Sequence, residues 1–319
     1  PEHMRAKSDT VPDALRPGSA LFLSLALGLV LAVVLLCFPG ILSRWEWACF
    51  DQALRWRLVL DNAPAVDGRI TYVNITDADT TALGSVAEEY AALARLVEEA
   101  SAMGAAAIVF DVVFRRAKQT EARPLYEAIQ RSARVVLAEA LLEKDSADEW
   151  RQRARSFAFG PRLTPAGLAN AEPDADGVFR HYAYVQRGPA GAEPSLALAT
   201  YLQVANPGRV RYSAAGVDWE ELGPDFKTML TRRLPAKPQL LNLRSGWMRS
   251  GKTAFMHSSL GQIHAEFQEW KKRKATSQPG APPREGQILL VGYVGSGLGD
   301  TSPTPFGPVE PRVQLHAAA

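Results

Sequence analysis

Ala106-Ala107-Ile108-Val109-Phe110-Asp111 is the stretch on which the reading of this chain turns. An apolar run with no polar alternation, closed by an acid, is the pattern of a strand buried on both faces, as in parallel sheets. Upstream, Glu88–Met103 (EEYAALARLVEEASAM) places Leu93, Leu96, Val97 and Ala100 at helical spacing and stops at Gly104, a C-terminal helix signal. Before that helix, Arg69–Thr76 (RITYVNIT) is β-branched and aromatic, hence a strand. After the central stretch, Pro124–Ser132 reads as a helix with proline near its first turn, and Arg134–Ala140 (RVVLAEA) as a third strand. The order β-α-β-α-β predicts an α/β fold: a central, mostly parallel or mixed sheet flanked by helices, with right-handed crossovers.

Further along, Lys144–Arg155 is charged and reads as a solvated helix or loop. His181–Arg187 (HYAYVQR) alternates like a strand with one wet face, and Pro194–Ala205 reads as a helix opened by proline. Gln239–Arg244 and Gln287–Val291 are further strands. Trp270–Glu285 is a loop by composition; its Lys271, Lys272, Arg273 and Lys274 read as a solvated run, with contact to anionic headgroups the alternative. Thr301–Pro311, with Pro303, Pro305, Pro308 and Pro311, reads as an extended loop.

Ahead of the α/β region lies Ser19–Phe38 (SALFLSLALGLVLAVVLLCF), and no charge occurs between Arg16 and Arg44. Roughly 20 apolar residues span a bilayer core of about 30 Å, so a transmembrane helix is expected over 17–43. A cleaved signal peptide fits less well, because the run is longer than an h-region and is followed by Pro39, Gly40, Trp45 and Trp47 rather than by a cleavage site. Residues 1–16 form an N-terminal tail, of which 1–3 read as an expression remnant. Arg44–Leu60 reads as a helix continuing from the membrane. Basic residues are balanced on the two sides of the span, so charge alone does not orient it. Cys37 and Cys49 lie in or beside the span, which leaves the remainder without disulfides. A net charge of +2 gives no reason to expect nucleic acid as a partner.

Several short blocks recur here in an order that resembles the CHASE2 family, the extracytoplasmic sensor domains of bacterial cyclases and kinases. They begin with Glu46, Asp51, Arg55 and Arg57, then Val73–Gly84 (VNITDADTTALG) and Met103–Phe114 (MGAAAIVFDVVF). Asp174–Tyr182 (DADGVFRHY), Pro194–Ala199 (PSLALA), Asn242–Gly246 (NLRSG), Ile288–Gly292 (ILLVG), Asp300, Thr304-Pro305 and Val313–Ala317 (VQLHA) follow. Each block is weak alone; their shared order over residues 44–319 is specific. Departures occur at Ser85–Tyr90, which lacks the family's Trp and Arg, at Glu121, the best available acid of the second crossover helix, and at Pro311-Arg312, where the family has glycine.

The resemblance implies a sensor in the periplasm, a plasma-membrane helix whose N-terminus is cytoplasmic, and further spans plus an output domain beyond Ala319. That output is most often a nucleotide (adenylate) cyclase, the alternative being a histidine or Ser/Thr kinase. It also implies a homodimer, with membrane lipid and a small molecule or ion as partners. The chain itself is not expected to be an enzyme, since no Ser-His-Asp, Cys-His or zinc spacing is present.

Asp77, Asp79 and Asp111 follow predicted parallel strands, where open α/β sheets bind ligands, and Asp300 lies in a Gly-rich loop after another strand. These four are the candidate ligand-binding residues. Together they would suit Ca²⁺ or Mg²⁺, and a tethered metal enzyme on Asp77, Asp111 and Asp300 is a rival reading. The structural reading is that the acids cap helices and turns, with Asp79 a helix cap and Asp77 paired to Arg180. Asp174, Asp176, Gly177 and Arg180 read as a structural turn tied by an Arg–carboxylate pair. His316 is a hydrogen-bonded structural residue, or a metal ligand with Asp300. Gly246–Thr253 (GWMRSGKT) fits the phosphate-loop pattern, but no later strand ends in an acid for Mg²⁺, so chance is the reading. Gly292, Gly295, Gly297 and Gly299 lack the following helix that a dinucleotide motif needs.

Overall fold

The structure is a computed structural model; it describes residues 17–37, 39–60, 67–144, 150–161, 165–189, 191–222, 228–241, 255–276, 280–294, 301–311 and 316–317. The chain divides into two compact units, Pro1–Ala53 and Leu54–Ala319.

In the first unit α1 covers Pro17–Cys37, and α2 (Pro39–Val59) begins there and carries on past Ala53. Proline opens both helices, where its missing N–H is one of the donors a helix leaves unpaired anyway and its fixed φ suits the first turn. Phe22, Leu25 and Leu29 of α1 are exposed, and Trp47 meets Phe50 edge to face at 5.9 Å. Among the described residues no helix is long and apolar enough to cross a membrane. The span expected over 17–43 is therefore not found among them. α1 has 21 residues, but its side chains are described only at Phe22 and from Ser24 to Val33.

The second unit is built on a mixed sheet. Its strands are β1 (Ile70–Ile75), β2 (Ala107–Phe110), β3 (Val135–Lys144), β4 (Trp150–Ala154), β5 (Ala166–Leu168), β13 (Met256–Ser259) and β14 (Ile288–Tyr293). The order is β13-β1-β14-β2-β3-β4, with β5 also paired to β3. All pairs are parallel except β3 with β4. β14 inserts between the first two strands, so Val291 is in register with both Val73 and Phe110.

Helices α3 (Asp77–Leu83), α4 (Val86–Ala102), α5 (Gln119–Arg131) and α7 (Leu260–Ala275) lie along the chain's crossovers; α6 (Leu196–Ala205) follows β5 and the hairpin β7 (Val185–Gly188) and β8 (Gly191–Pro194). On one face Val73, Ile75, Phe110 and Leu289 pack with Leu93, Leu96 and Val97 of α4, Leu125 and Ile129 of α5 and Ile263 of α7. Each such fully buried aliphatic side chain contributes about 1.5–3 kcal/mol. On the other face Tyr72, Val109 and Leu290 pack with Leu196 and Ala199 of α6. Gly167 of β5 permits this approach: a Cβ there would stand 2.5 Å from the Ser195 carbonyl oxygen.

The α/β expectation is met, and β1, β2, β14 and α4 fall within a residue or two of their predicted bounds. Other segments differ. Within the stretch 144–155, expected to be a helix or loop, Trp150–Ala154 form β4, antiparallel to β3. The expected loop over 270–285 is helical through Ala275, because Ser259 and Gln262 form a capping box that starts α7. Its basic last turn suits the negative end of the helix dipole, and Lys274 sits 5.1 Å above the Trp270 ring. Residues 301–311 form a hairpin, β15 (Thr301–Thr304) with β16 (Gly307–Pro311); a two-stranded ribbon tolerates proline. The single strand expected over 181–187 is two pieces, β6 (His181–Tyr182), paired with β12 (Gln239–Leu240), and β7. α5 begins five residues before Pro124. The meander β9 (Arg209–Ser213), β10 (Gly216–Leu222) and β11 (Met229–Pro235), which packs Val217 and Trp219 against Leu198 of α6, was not foreseen at all.

Candidate functional site

The parallel strands end on one edge of the sheet, and the chemistry gathers there on the α6 face. Asp111 leaves β2 with its N–H donating to the Val291 carbonyl at 2.8 Å. Its carboxylate lies 3.4 Å from Nε2 of His316, and the two side chains are 7% and 4% exposed. His316 Nδ1 in turn is 2.6 Å from the Tyr182 hydroxyl. With the phenol donating to Nδ1, the ring's Nε2–H faces the carboxylate. Burial pushes the Tyr182 phenol well above its ordinary value; bonds from Ser195 and the Ala197 backbone at the start of α6 act the other way. Ser195 also caps α6 by accepting from the Leu198 N–H at 3.2 Å. Residues from β2, β6, α6 and the segment at 316 thus meet in one buried cluster.

A second polar group adjoins it. Asn74 Nδ2 is 3.0 Å from Nδ1 of His257, and the His257 ring stacks on Tyr72 at 5.1 Å. Burial holds the His257 imidazole below its usual value and pushes the Tyr72 phenol up, the latter aided by the charge of Asp111.

Among the described residues, Asp77, Asp79 and Asp111 do not form one ion site. Asp79 closes a capping box with Thr76, accepting from its N–H at 2.9 Å and its hydroxyl at 2.7 Å. Asp77 lies in the first turn of α3, and Asp300 lies outside the described residues. Among the described residues no group of three or more His, Cys, Asp or Glu side chains could hold a metal ion. His316 meets Asp111 and Tyr182, and the pairing of His316 with Asp300 falls outside what is described.

No described bond joins Arg180, 2% exposed, to Asp77. Arg180 donates to both Asp176 oxygens at 2.9 Å and to Asp174 at 3.3 Å. The guanidinium holds the Asp176 carboxyl below the usual range. Gly177 takes φ +83° at the corner, and His181 Nδ1 lies 2.8 Å from Asp174. The phosphate-loop-like Gly246–Thr253 lies outside the described residues, as do Gly295, Gly297 and Gly299.

Two features had no sequence signal. Arg153 of β4 bridges the buried carboxylates of Glu139 and Glu193, tying the sheet to β8. A cleft of about 530 Å³ runs between α6 and the sheet, from Asp67 and Arg69 at one end to His316 at the other.

A family model, the CHASE2 domain, matches residues 28–319. No curated protein and no solved structure matches the chain.

Proposed function

The chain belongs to the CHASE2 domain family, extracellular sensor domains of signalling receptors, and from that premise we propose that it is the periplasmic sensory lobe of a bacterial receptor anchored in the inner membrane. The match over residues 28–319 is the observation that carries the reading. The proposed anchor is α1, whose 21 residues carry no charge and at 1.5 Å per residue reach about 31 Å, followed by the interfacial Trp45 and Trp47.

In this reading a solute or ion bound outside favours one of two arrangements of the lobe, by no more than its difference in affinity for them. A homodimer passes the change through the membrane to an output domain, an adenylate cyclase in first place and a protein kinase in second. The Asp111–His316–Tyr182 cluster supports a coupling role because it fixes the segment at 316 to the ligand edge of the sheet.

A reporter enzyme that folds only outside the cytoplasm, joined after Ala319, tests the location. Activity in intact cells is expected. An inactive reporter, with a cytoplasm-only reporter active at the same position, would remove the sensor reading.

A further inference from the structure

We propose that the cleft between α6 and the sheet binds an uncharged, elongated molecule with an apolar body and a hydrogen-bonding end group. The proposal deepens the sensor reading and rests on it.

The volume, about 530 Å³, lies within the 300–1,000 Å³ of small-molecule sites. The sheet wall is Ile70 and Ile288, paired across β1 and β14, with Leu290 beyond them. Leu196 and Val204 of α6 face them across the space. An aliphatic body of ligand would cover apolar surface on both sides.

The ends set the polarity. Arg69 donates through Nε at 3.0 Å and Nη2 at 2.6 Å to Asp67, a pair that is neutral overall. No described bond uses Arg69 Nη1, so its donors remain for a carbonyl or hydroxyl at the rim. A charged ligand would meet no net opposite charge here and would lose its hydration against apolar walls. At the far end His316 lines the cleft while it bonds Tyr182, so an occupant touches the residue that holds the buried cluster together.

The test uses the full chain in phosphatidylcholine nanodiscs, with empty nanodiscs as the partition control, and decanamide, decanol and decanoate as probes. Decanamide and decanol are expected to slow amide exchange in 196–205 and 288–293. Both should bind about tenfold or more tighter than decanoate, since one decade is about 1.4 kcal/mol and burying an unpaired charge costs more. Thr200→Trp, which fills the cleft from α6, should abolish that protection with the melting temperature retained. Val204→Trp serves the same purpose if Thr200→Trp does not fold.

Equal or tighter decanoate binding overturns the proposal. So does unchanged protection in the tryptophan variants, or none in the folded wild type. Protection of α6 that rises with protein concentration and not with probe would assign the cleft to a second copy instead. The reporter experiment separates the two claims. Loss of binding with an outside location removes the site and leaves the sensor; retained binding with a cytoplasmic location does the reverse.

Discussion

The Tyr182 hydroxyl lies 2.6 Å from His316 Nδ1, across 134 positions of sequence. This bond joins β6 to a residue that also faces Asp111 at the end of β2. Tyr182→Phe keeps the ring in place and removes only the hydroxyl, leaving a buried imidazole nitrogen without that partner. The expected loss of stability is about 1–3 kcal/mol, read by denaturant unfolding. An unchanged midpoint would mean that the bond does not hold the cluster.

Arg180 is buried against Asp174 and Asp176. Arg180→Ala removes a buried guanidinium and its charged hydrogen bonds, but water reaches the carboxylates left behind, Asp176 being 37% exposed, so the expected cost is about 1.5–3 kcal/mol. Arg180→Lys should recover little of this, because an ammonium cannot reproduce the two-pronged contact with Asp176. Thermal melting of both variants checks the prediction, and a near-native Arg180→Lys would contradict it.

Two of the groups that shape the acid side of the stability profile are His257 and Asp176. His257 is held neutral by burial, its pKa lowered below the ordinary imidazole value of 6.5. The unfolded chain therefore takes up the proton first, and stability should fall as pH drops through that value. Asp176 is lowered below 3.8, chiefly by its bond from Arg180, so its contribution is present above 3.8 and is lost on further acidification. Unfolding midpoints in wild type and His257→Gln from neutral to acid pH separate the steps. The variant should lose the first and keep the second; an identical profile would contradict the assignment.

Gly167 and Gly177 are both glycines for structural reasons, but different ones. A Cβ at Gly167 would stand 2.5 Å from the Ser195 carbonyl oxygen, so Gly167→Ala must push β5 away from α6, at about 1–3 kcal/mol. At Gly177 a Cβ meets nothing within 4 Å, and only its φ of +83° opposes alanine, at about 1–2 kcal/mol. Hydrogen exchange distinguishes them: Gly167→Ala should loosen α6, whereas Gly177→Ala should act on its own turn.

What the sequence disclosed follows the same physics. β1, β2, β14 and α4 were legible because burial imposes a period or an apolar run on each. The place of β14 between β1 and β2 was not, since no local pattern reports a pairing such as Tyr72 with Leu290. Strand β4 and the hairpin at 301–311 were obscured by charge and proline, both tolerated on ribbons and sheet edges. α7 was not foreseen, and its last turns read as a loop, because a basic run resembles a loop when the Ser259–Gln262 capping box is overlooked. At the site, Thr76 and Asp79 carried a readable cap, while His316 and Tyr182 gave no sign that the fold would join them.

The central claim is that the lobe beyond Ala53 lies outside the cytoplasm, and thiol labelling tests it most directly. In a Cys37→Ser, Cys49→Ser background, a cysteine replacing the exposed Lys271 is treated with a membrane-impermeant maleimide in intact spheroplasts. Full labelling before lysis is the predicted result. Labelling that occurs only after the membrane is broken would contradict the account.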